Sequence, residues 1–194
     1  MWDLLVLTAG NERQKRNFEL LLAEVDTTPY CRRTLVISDY PVDVKIGSGG
    51  ATLNVLRSID DQAKGQKVLL IHSGGLSQRL PHISAFGKIF LTLPNSMTML
   101  EAKLRSYKRL PHILPPGLLV AASDVLEDVS ASEKCNSTSD MVLFATESSL
   151  KVATDHGVFV MENDRLKSVL QKPSLDEMKA AGAILPSGNA LTDW

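Results

Sequence analysis

Short apolar segments alternate with amphipathic segments along the first two thirds of the chain, and this alternation constrains the fold most strongly. The apolar segments, each rich in Leu, Val and Ile, predict four strands at Leu4–Thr8, Thr34–Ser38, Lys67–His72 and Gly117–Ala122. Strands that are apolar on both sides are buried on both faces, which is typical of parallel sheets covered by helices. The sequence therefore predicts an α/β fold with a mixed, mainly parallel sheet and helices on both faces.

The segments between the strands have helical spacing or turn composition. Asn11 is placed to cap a helix whose apolar face includes Phe18 and Leu22, and Pro41–Gly50 is predicted to be a loop. The other predicted elements are helices at Ala51–Gln66, Met97–Arg109 and Leu175–Ala181, and weaker strands at Met141–Ala145 and Gly157–Met161. The sequence contains no internal repeat or low-complexity linker, so residues 1–194 are predicted to belong to one domain.

Composition excludes several classes of partner. With 21 Lys and Arg against 22 Asp and Glu, the net charge of −1 gives no electrostatic reason to expect nucleic acid or an anionic membrane. No apolar run approaches the roughly 18 residues that a membrane span needs. The N-terminus lacks the basic region of a signal peptide, and Cys31 and Cys135 have no metal or redox spacing. These features predict a cytoplasmic protein, and they indicate no oligomeric state.

A pair of glycines follows the third predicted strand. Gly74 and Gly75 allow the backbone to approach a phosphate or a base closely, while Arg79 and Lys88 further along could contact phosphate oxygens. The spacing matches neither the P-loop nor the Gly-x-Gly-x-x-Gly pattern of dinucleotide-binding proteins. On residue types alone, a surface turn with two solvated cations explains the segment equally well.

A second glycine-rich segment precedes a predicted helix. Gly47, Gly49 and Gly50 would place unpaired backbone N–H groups at a helix N-terminus, which suits an anion, although a flexible connection is the alternative. Ligands of parallel α/β sheets bind beyond the carboxyl ends of the strands. Two glycine-rich segments at such ends together predict a cleft for a nucleotide or sugar nucleotide.

Two further residues could act in this cleft. Asp124 directly follows the fourth predicted strand, where a carboxylate could hold Mg²⁺ carried by a nucleotide, although a turn or helix-capping aspartate is commoner. Lys172 precedes Pro173 and would point toward the cleft if the adjacent strand does.

The ordered motifs resemble a known family. The stretch HSGGLSQRLPHISAFGKIF resembles the signature of the sugar-nucleotide pyrophosphorylases, and within them the fucose-1-phosphate guanylyltransferase family and the N-terminal domain of bifunctional fucokinases. The companion segments, in the same order as in that family, are WDLLVLTAGNERQ, IGSGGATLNVL, GLLVAASD, HGVFV and QKPS. The resemblance extends from Trp2 to about Met178 and implies a Rossmann-like nucleotidyltransferase fold of the GT-A-like type.

The resemblance also implies a reaction and roles for residues. GTP and β-L-fucose 1-phosphate would give GDP-L-fucose and pyrophosphate, with Mg²⁺ as cofactor. On this mapping Arg79 and Lys88 contact the triphosphate, Asp124 holds Mg²⁺ and Lys172 meets the sugar phosphate. The glycines would form the nucleotide site, with Gly74 and Gly75 against the nucleotide and Gly47, Gly49 and Gly50 in the other glycine-rich segment, the last two shaping the base or ribose side.

The chain departs from the family in length. Family members are considerably longer, so the fold is expected to be incomplete at its C-terminus. The alternative function is therefore a non-catalytic nucleotide-binding fragment or short isoform of the same enzyme. A uridylyl-transferring relative fits the motif details less closely.

Overall fold

The computed structural model describes residues 1–42, 44–75, 83–127 and 140–193. The chain forms two compact units, Met1–Cys135 and Asn136–Trp194. In the described part of the chain, no helix is long and apolar enough to cross a membrane.

The first unit contains the parallel sheet that the apolar segments predict. Its strands are β1 (Leu4–Ala9), β2 (Thr34–Ser38), β3 (Lys67–His72) and β4 (Gly117–Ala122), in the order β2-β1-β3-β4 with every pairing parallel. Its helices are α1 (Glu12–Ala23), α2 (Gly47–Ile59), α3 (Ile83–Phe86), α4 (Met99–Ser106) and α5 (Leu110–Ile113), with 3₁₀ turns at Asp60–Ala63, Lys88–Phe90 and Tyr107–Arg109. The prediction of a parallel α/β sheet is confirmed for this unit.

Helices cover both faces of this sheet. Alternate side chains of β1 enter two separate cores: Leu5 and Leu7 pack with residues of α1 and α4, and Leu4 and Val6 pack with residues of α2. All six residues of β1 are buried. Because burying one such side chain contributes about 1.5–3 kcal/mol, a strand apolar on both sides is stable only in this central position.

The carboxyl ends of the strands meet at one edge of the sheet. Ala9 of β1 lies opposite Ser38 of β2, and His72 of β3 lies opposite Ala122 of β4. The chain leaves β1 toward β2 and returns on the other side of β1 to form β3. The topological switch point, where ligands of open α/β sheets bind, therefore lies between β1 and β3.

The glycine-rich segment before α2 is helical from Gly47 onward, which corrects the prediction that the loop from Pro41 extends to Gly50. Helix α2 begins at Gly47, so Gly47, Gly49 and Gly50 form its first turn. In this region Thr52 Oγ1 donates to the Ser48 carbonyl at 3.0 Å, and the Ile46 side chain occupies the space where a Cβ of Gly50 would stand, so position 50 requires glycine.

The second unit has an antiparallel sheet. Its strands are β5 (Thr146–Ser148), β6 (Gly157–Glu162), β7 (Arg165–Gln171) and β8 (Ala190–Thr192), in the order β5-β8-β6-β7, with helices α6 (Leu150–Ala153) and α7 (Leu175–Ala181). Helix α7 has the predicted bounds, and Ser174 caps it by accepting from Glu177 N–H.

One prediction for this unit is wrong, and its strands β5, β7 and β8 were not predicted. Residues 141–145 form no strand, and Met141, 75% exposed, lies outside the buried core of this unit. Strand β7 was not predicted, because its exposed sequence RLKSVLQ lacks both an apolar run and strict alternation.

Candidate functional site

A cleft of about 260 Å³ opens at the carboxyl edge of the parallel sheet. The ends of β3 and β4 and the segment that leads from α3 into the 3₁₀ turn after it line this cleft. The lining residues are His72, Ser73, Gly74, Gly75, Ile83, Ser84, Gly87, Lys88, Ala122, Ser123 and Asp124. The cleft therefore lies beyond the carboxyl ends of β3 and β4, the edge of an open α/β sheet where ligands bind, and next to the β1/β3 switch point.

The glycine pair after β3 packs directly on the end of β1. Thr8 Oγ1, 3% exposed, accepts from the backbone N–H groups of Ser73 at 3.0 Å and Gly74 at 3.3 Å. A Cβ on Gly74 would lie 2.8 Å from the backbone nitrogen of Gly10. Position 74 thus requires glycine because two backbone segments touch there.

A buried amide on α1 connects the loops around the cleft. Gln14, 6% exposed, accepts from Gly10 N–H at 2.7 Å and donates to the carbonyls of Ser84 at 2.7 Å and Gly75 at 3.3 Å. Further along α1, Phe18 packs against the backbone at Gly87, where a Cβ would lie 2.5 Å from its ring. Helix α1 therefore supports both sides of the glycine-rich segment.

Two charged residues of the cleft form an ion pair. Lys88 Nζ donates to Asp124 Oδ2 at 2.8 Å, and both side chains are roughly half exposed. The hydrogen bond from Lys88 is the main reason why the pKa of Asp124 lies below its ordinary value. The structure thus brings the predicted phosphate ligand and the predicted metal ligand into direct contact.

Asp124 by itself supplies too few ligands to hold a resident metal ion. In the described ranges no group of three His, Cys, Asp or Glu side chains could hold a metal ion, and Asp124 is the only carboxylate that lines the cleft. Mg²⁺ is commonly bound by one or two carboxylates together with substrate phosphates. The residues present therefore fit Mg²⁺ that arrives with a triphosphate.

His72 links the cleft to the glycine-rich turn of α2. Its Nε2 lies 3.0 Å from Oγ1 of Thr52, within hydrogen-bond distance. Partial burial lowers the pKa of His72, so the neutral imidazole is favoured. This contact ties the first turn of α2 to the carboxyl end of β3.

A fully buried lysine supports the segment that follows Asp124. Lys103 Nζ donates to Val125 O at 2.7 Å, Glu127 Oε2 at 2.5 Å and Tyr107 Oη at 3.2 Å. Burial lowers the pKa of Lys103, and the contact with Glu127 opposes that shift. Lys103 thus holds residues 125–127 against α4.

The structure brings together part of the predicted site. Gly74, Gly75, Lys88 and Asp124 all line the cleft. Gly47, Gly49 and Gly50 lie in the first turn of α2, where Gly47 and Gly49 are exposed.

Two predicted residues are not placed in the cleft. Arg79 lies outside the described residues. Lys172 is exposed in the second unit, where it follows β7 with a φ of 48° and donates its backbone N–H to the His156 carbonyl at 3.0 Å. The contacts predicted for these two residues stay predictions.

Sequence reasoning assigned no role to Gln14, Thr8 or Lys103. Gln14 shares a helix face with buried Phe18, four positions later, and Lys103 shares one with buried Met99 and Leu100, four and three positions earlier. A polar side chain on an apolar helix face is the signal that could have identified them, since buried polar groups need partners.

The fold and the cleft define an α/β protein with a candidate phosphate-binding site at the carboxyl edge of its parallel sheet. Comparison with known proteins identifies its family. A model of the fucose pyrophosphorylase domain matches residues 60–193, and the chain belongs to this family. The resemblance that the motifs indicated is thereby confirmed.

Curated relatives agree with this assignment. The chain is 37% identical to fucose-1-phosphate guanylyltransferase of Mus musculus and 37% identical to that of Homo sapiens, over 94% and 97% of its length. It is 29% identical over 72% of its length to the L-fucokinase/L-fucose-1-P guanylyltransferase of Bacteroides fragilis. The chain spans about 35% of the length of the mouse and human relatives. No solved structure matches it.

Proposed function

We propose that the chain carries the nucleotide site of an enzyme that forms GDP-L-fucose and pyrophosphate from GTP and β-L-fucose 1-phosphate. One observation carries this proposal: the cleft at the carboxyl ends of β3 and β4 presents Gly74, Gly75, Lys88 and Asp124 together in a member of the fucose pyrophosphorylase family. The GT-A-like nucleotidyltransferase fold is part of the proposal, and the parallel sheet with helices on both faces supports it. A cytoplasmic location stays a prediction.

The proposed reaction needs charge neutralisation and alignment more than a nucleophile from the protein. A phosphate oxygen of fucose 1-phosphate attacks the α-phosphorus of GTP, and the bond to the bridging oxygen of the β-phosphate breaks with both electrons leaving on pyrophosphate. Two anions must approach each other, so positioned donors lower the barrier.

Specific residues are suited to these tasks. Lys88 donates to the triphosphate and to the departing pyrophosphate, and Arg79 is assigned the same task from the family motif. The glycine pair lets backbone N–H groups approach the nucleotide. Asp124 would hold Mg²⁺ bound to the triphosphate, which supplies charge neutralisation there.

The proposal also assigns roles to four residues that are not among the lining residues of the cleft. Gly49 and Gly50 shape the base or ribose side, with Gly47 in the same turn of α2. Lys172 meets the phosphate of the sugar substrate.

The first experiment measures GTP binding and pyrophosphate release by the purified 194-residue chain. With Mg²⁺, release should require both GTP and fucose 1-phosphate, and UTP or glucose 1-phosphate should not replace them. Arg79→Ala should lower turnover by well over tenfold while the chain stays folded. Failure to bind GTP would overturn the proposal. GTP binding without turnover would instead favour the non-catalytic nucleotide-binding alternative.

A further inference from the structure

The side chain of Gln14 joins three backbone segments that are distant in sequence. Its Oε1 accepts from Gly10, four residues earlier, and its Nε2 donates to Gly75 and Ser84, 61 and 70 residues later. Gly10 follows β1, Gly75 follows β3, and Ser84 belongs to α3. Both Gly75 and Ser84 line the cleft, on the two sides that Gln14 bridges.

Only a neutral amide satisfies these contacts together. A backbone N–H can only donate and a carbonyl can only accept, so the side chain at position 14 must accept once and donate twice. Glutamine does this with one orientation of its amide. An ionised glutamate could keep the contact with Gly10, but it would place negative charge against two carbonyl oxygens.

Two neighbouring contacts show that α1 supports this side of the cleft. Asn17 Nδ2 donates to Ala85 O at 3.3 Å, and the ring of Phe18 fills the space beside Gly87. Gly87 directly precedes Lys88, the proposed triphosphate ligand. A displacement at Ser84 or Gly75 would therefore alter the geometry at both the glycine pair and Lys88.

We propose that Gln14 is a positioning residue, which sets the separation of the two cleft sides that receive the triphosphate. This inference rests on the proposed function, because it takes GTP as the ligand. Gln14 touches only protein backbone in these contacts and acts through Gly75, Ser84 and the residues that follow them.

Two variants separate positioning from simple packing. Gln14→Glu has the same shape, and its protonated form can again accept from Gly10 and donate to Ser84, the nearer carbonyl. Burial beside carbonyl oxygens raises the pKa of a carboxyl group, so this variant should be ionised at about pH 8 and largely neutral at about pH 5.5.

Gln14→Met fills the space but makes none of the hydrogen bonds at any pH. Gln66→Glu is the matched control, because it makes the same amide-to-carboxylate change at the amino end of β3, where Gln66 contacts Arg33 and does not line the cleft.

The first readout is the affinity for a fluorescent GTP analogue, expressed relative to the unaltered chain at each pH. At about pH 8, Gln14→Glu should bind about tenfold or more weakly, since buried carbonyls lose their donors. At about pH 5.5 it should recover to within about threefold, whereas Gln14→Met should stay weak at both values. Gln66→Glu should change affinity by less than about twofold. Equal affinity of Gln14→Glu and the unaltered chain at both pH values would overturn the inference.

The second readout does not depend on nucleotide. Amide hydrogen exchange at residues 83–90 should be about tenfold faster in Gln14→Glu at about pH 8 and return toward the rate of the unaltered chain at low pH, with β1 and β3 unchanged. Uniformly faster exchange, including β1, would mean that Gln14 contributes only to global stability and would overturn positioning. If the unaltered chain bound no GTP, the proposed function would fail, and the exchange pattern alone would decide whether Gln14 sets the cleft geometry.

Discussion

Lys88 Nζ donates to Asp124 Oδ2 at 2.8 Å, and this pair closes one side of the cleft. Each partner is assigned a different ligand in the proposed reaction, the triphosphate for Lys88 and Mg²⁺ for Asp124. Because the pair already neutralises both charges, a Mg²⁺–nucleotide complex must exchange this ion pair for two new ones. The binding energy of the nucleotide is thereby reduced by the cost of separating Lys88 from Asp124.

The first prediction concerns the titration of Asp124. Lys88→Met should raise the pKa of Asp124, because the hydrogen bond from Lys88 is the main cause of its lowered value. The lowered pKa contributes stability above the ordinary aspartate value, and this contribution is lost as pH falls through the pKa of the folded state. The pair is half exposed, so it is worth at most about 1 kcal/mol.

A carbon-detected NMR titration of the Asp124 carboxyl group measures this shift. Lys15→Met, which removes a cation 4.0 Å from Glu12, is the matched control and should leave Asp124 unchanged. An unaltered Asp124 titration in Lys88→Met would show that the two side chains do not pair in solution.

The second prediction concerns Mg²⁺. Asp124→Asn should raise the Mg²⁺ concentration needed for half-maximal nucleotide binding by about tenfold or more, because it removes the only carboxylate among the described residues that line the cleft. Lys88→Met should lower that concentration, since Asp124 is then free to ligate. Titrating Mg²⁺ at fixed GTP measures both effects. The same Mg²⁺ dependence in all three proteins would exclude Asp124 as a ligand.

The sequence was sufficient to predict the parallel sheet because its signal is local. A strand such as β1 is buried on both faces, so all its residues except Thr8 are apolar, and the strand ends locate Gly74 and Asp124 at one edge. Strand β7 has only one residue that is even partly buried, so burial left no pattern in its sequence.

The residues that the sequence did not reveal depend on contacts across the fold. The partners of Gln14 lie up to 70 residues away, and a single glutamine on a helix face carries no information about them. The helix was predicted from Ala51, and its first turn, Gly47–Gly50, was missed for a related reason. Glycine disfavours helix locally, and the contacts that offset this, such as that of Asn54 Nδ2 with the Ser38 carbonyl at 2.8 Å, come from β2.

The third prediction contrasts two glycines. Gly74→Ala should destabilise the chain by about 1–3 kcal/mol, because its Cβ would lie within 2.9 Å of backbone atoms of Ala9 and Gly10 that cannot move independently. Gly49→Ala should stabilise it by about 0.5–1 kcal/mol, since its Cβ meets nothing within 4 Å and alanine favours helix. Thermal unfolding of both variants measures this difference.

The same variants test the nucleotide roles of the glycines. Gly49→Ala should weaken GTP binding although the fold is more stable, because the added methyl group stands where the backbone would approach the ligand. Unchanged affinity in this stabilised variant would remove Gly49 from the nucleotide site.

The fourth prediction concerns Lys172, whose φ of 48° lies in the left-handed region. Lys172→Gly should keep or raise stability, because glycine adopts this conformation without steric cost.

If the ammonium group of Lys172 binds the sugar phosphate, the same variant should raise the KM for fucose 1-phosphate about tenfold or more while the KM for GTP changes little. Lys167→Ala removes another exposed lysine of this unit and should alter neither KM. A rise in the KM for GTP would place Lys172 at the nucleotide instead.

The fifth prediction uses His72 as a reporter of bound phosphate. Partial burial lowers its pKa in the folded chain, so the unfolded state binds more protons and stability decreases as pH falls through the ordinary histidine range. A triphosphate in the cleft would favour the imidazolium and raise the pKa of His72, so nucleotide binding should take up protons and strengthen as pH falls through the same range. NMR titration of the His72 imidazole with and without GTP measures the shift. The imidazole signals of the exposed His112 are the control and should not change when GTP is added.

A pKa of His72 that stays lowered in the GTP complex would mean that the phosphates bind away from the end of β3.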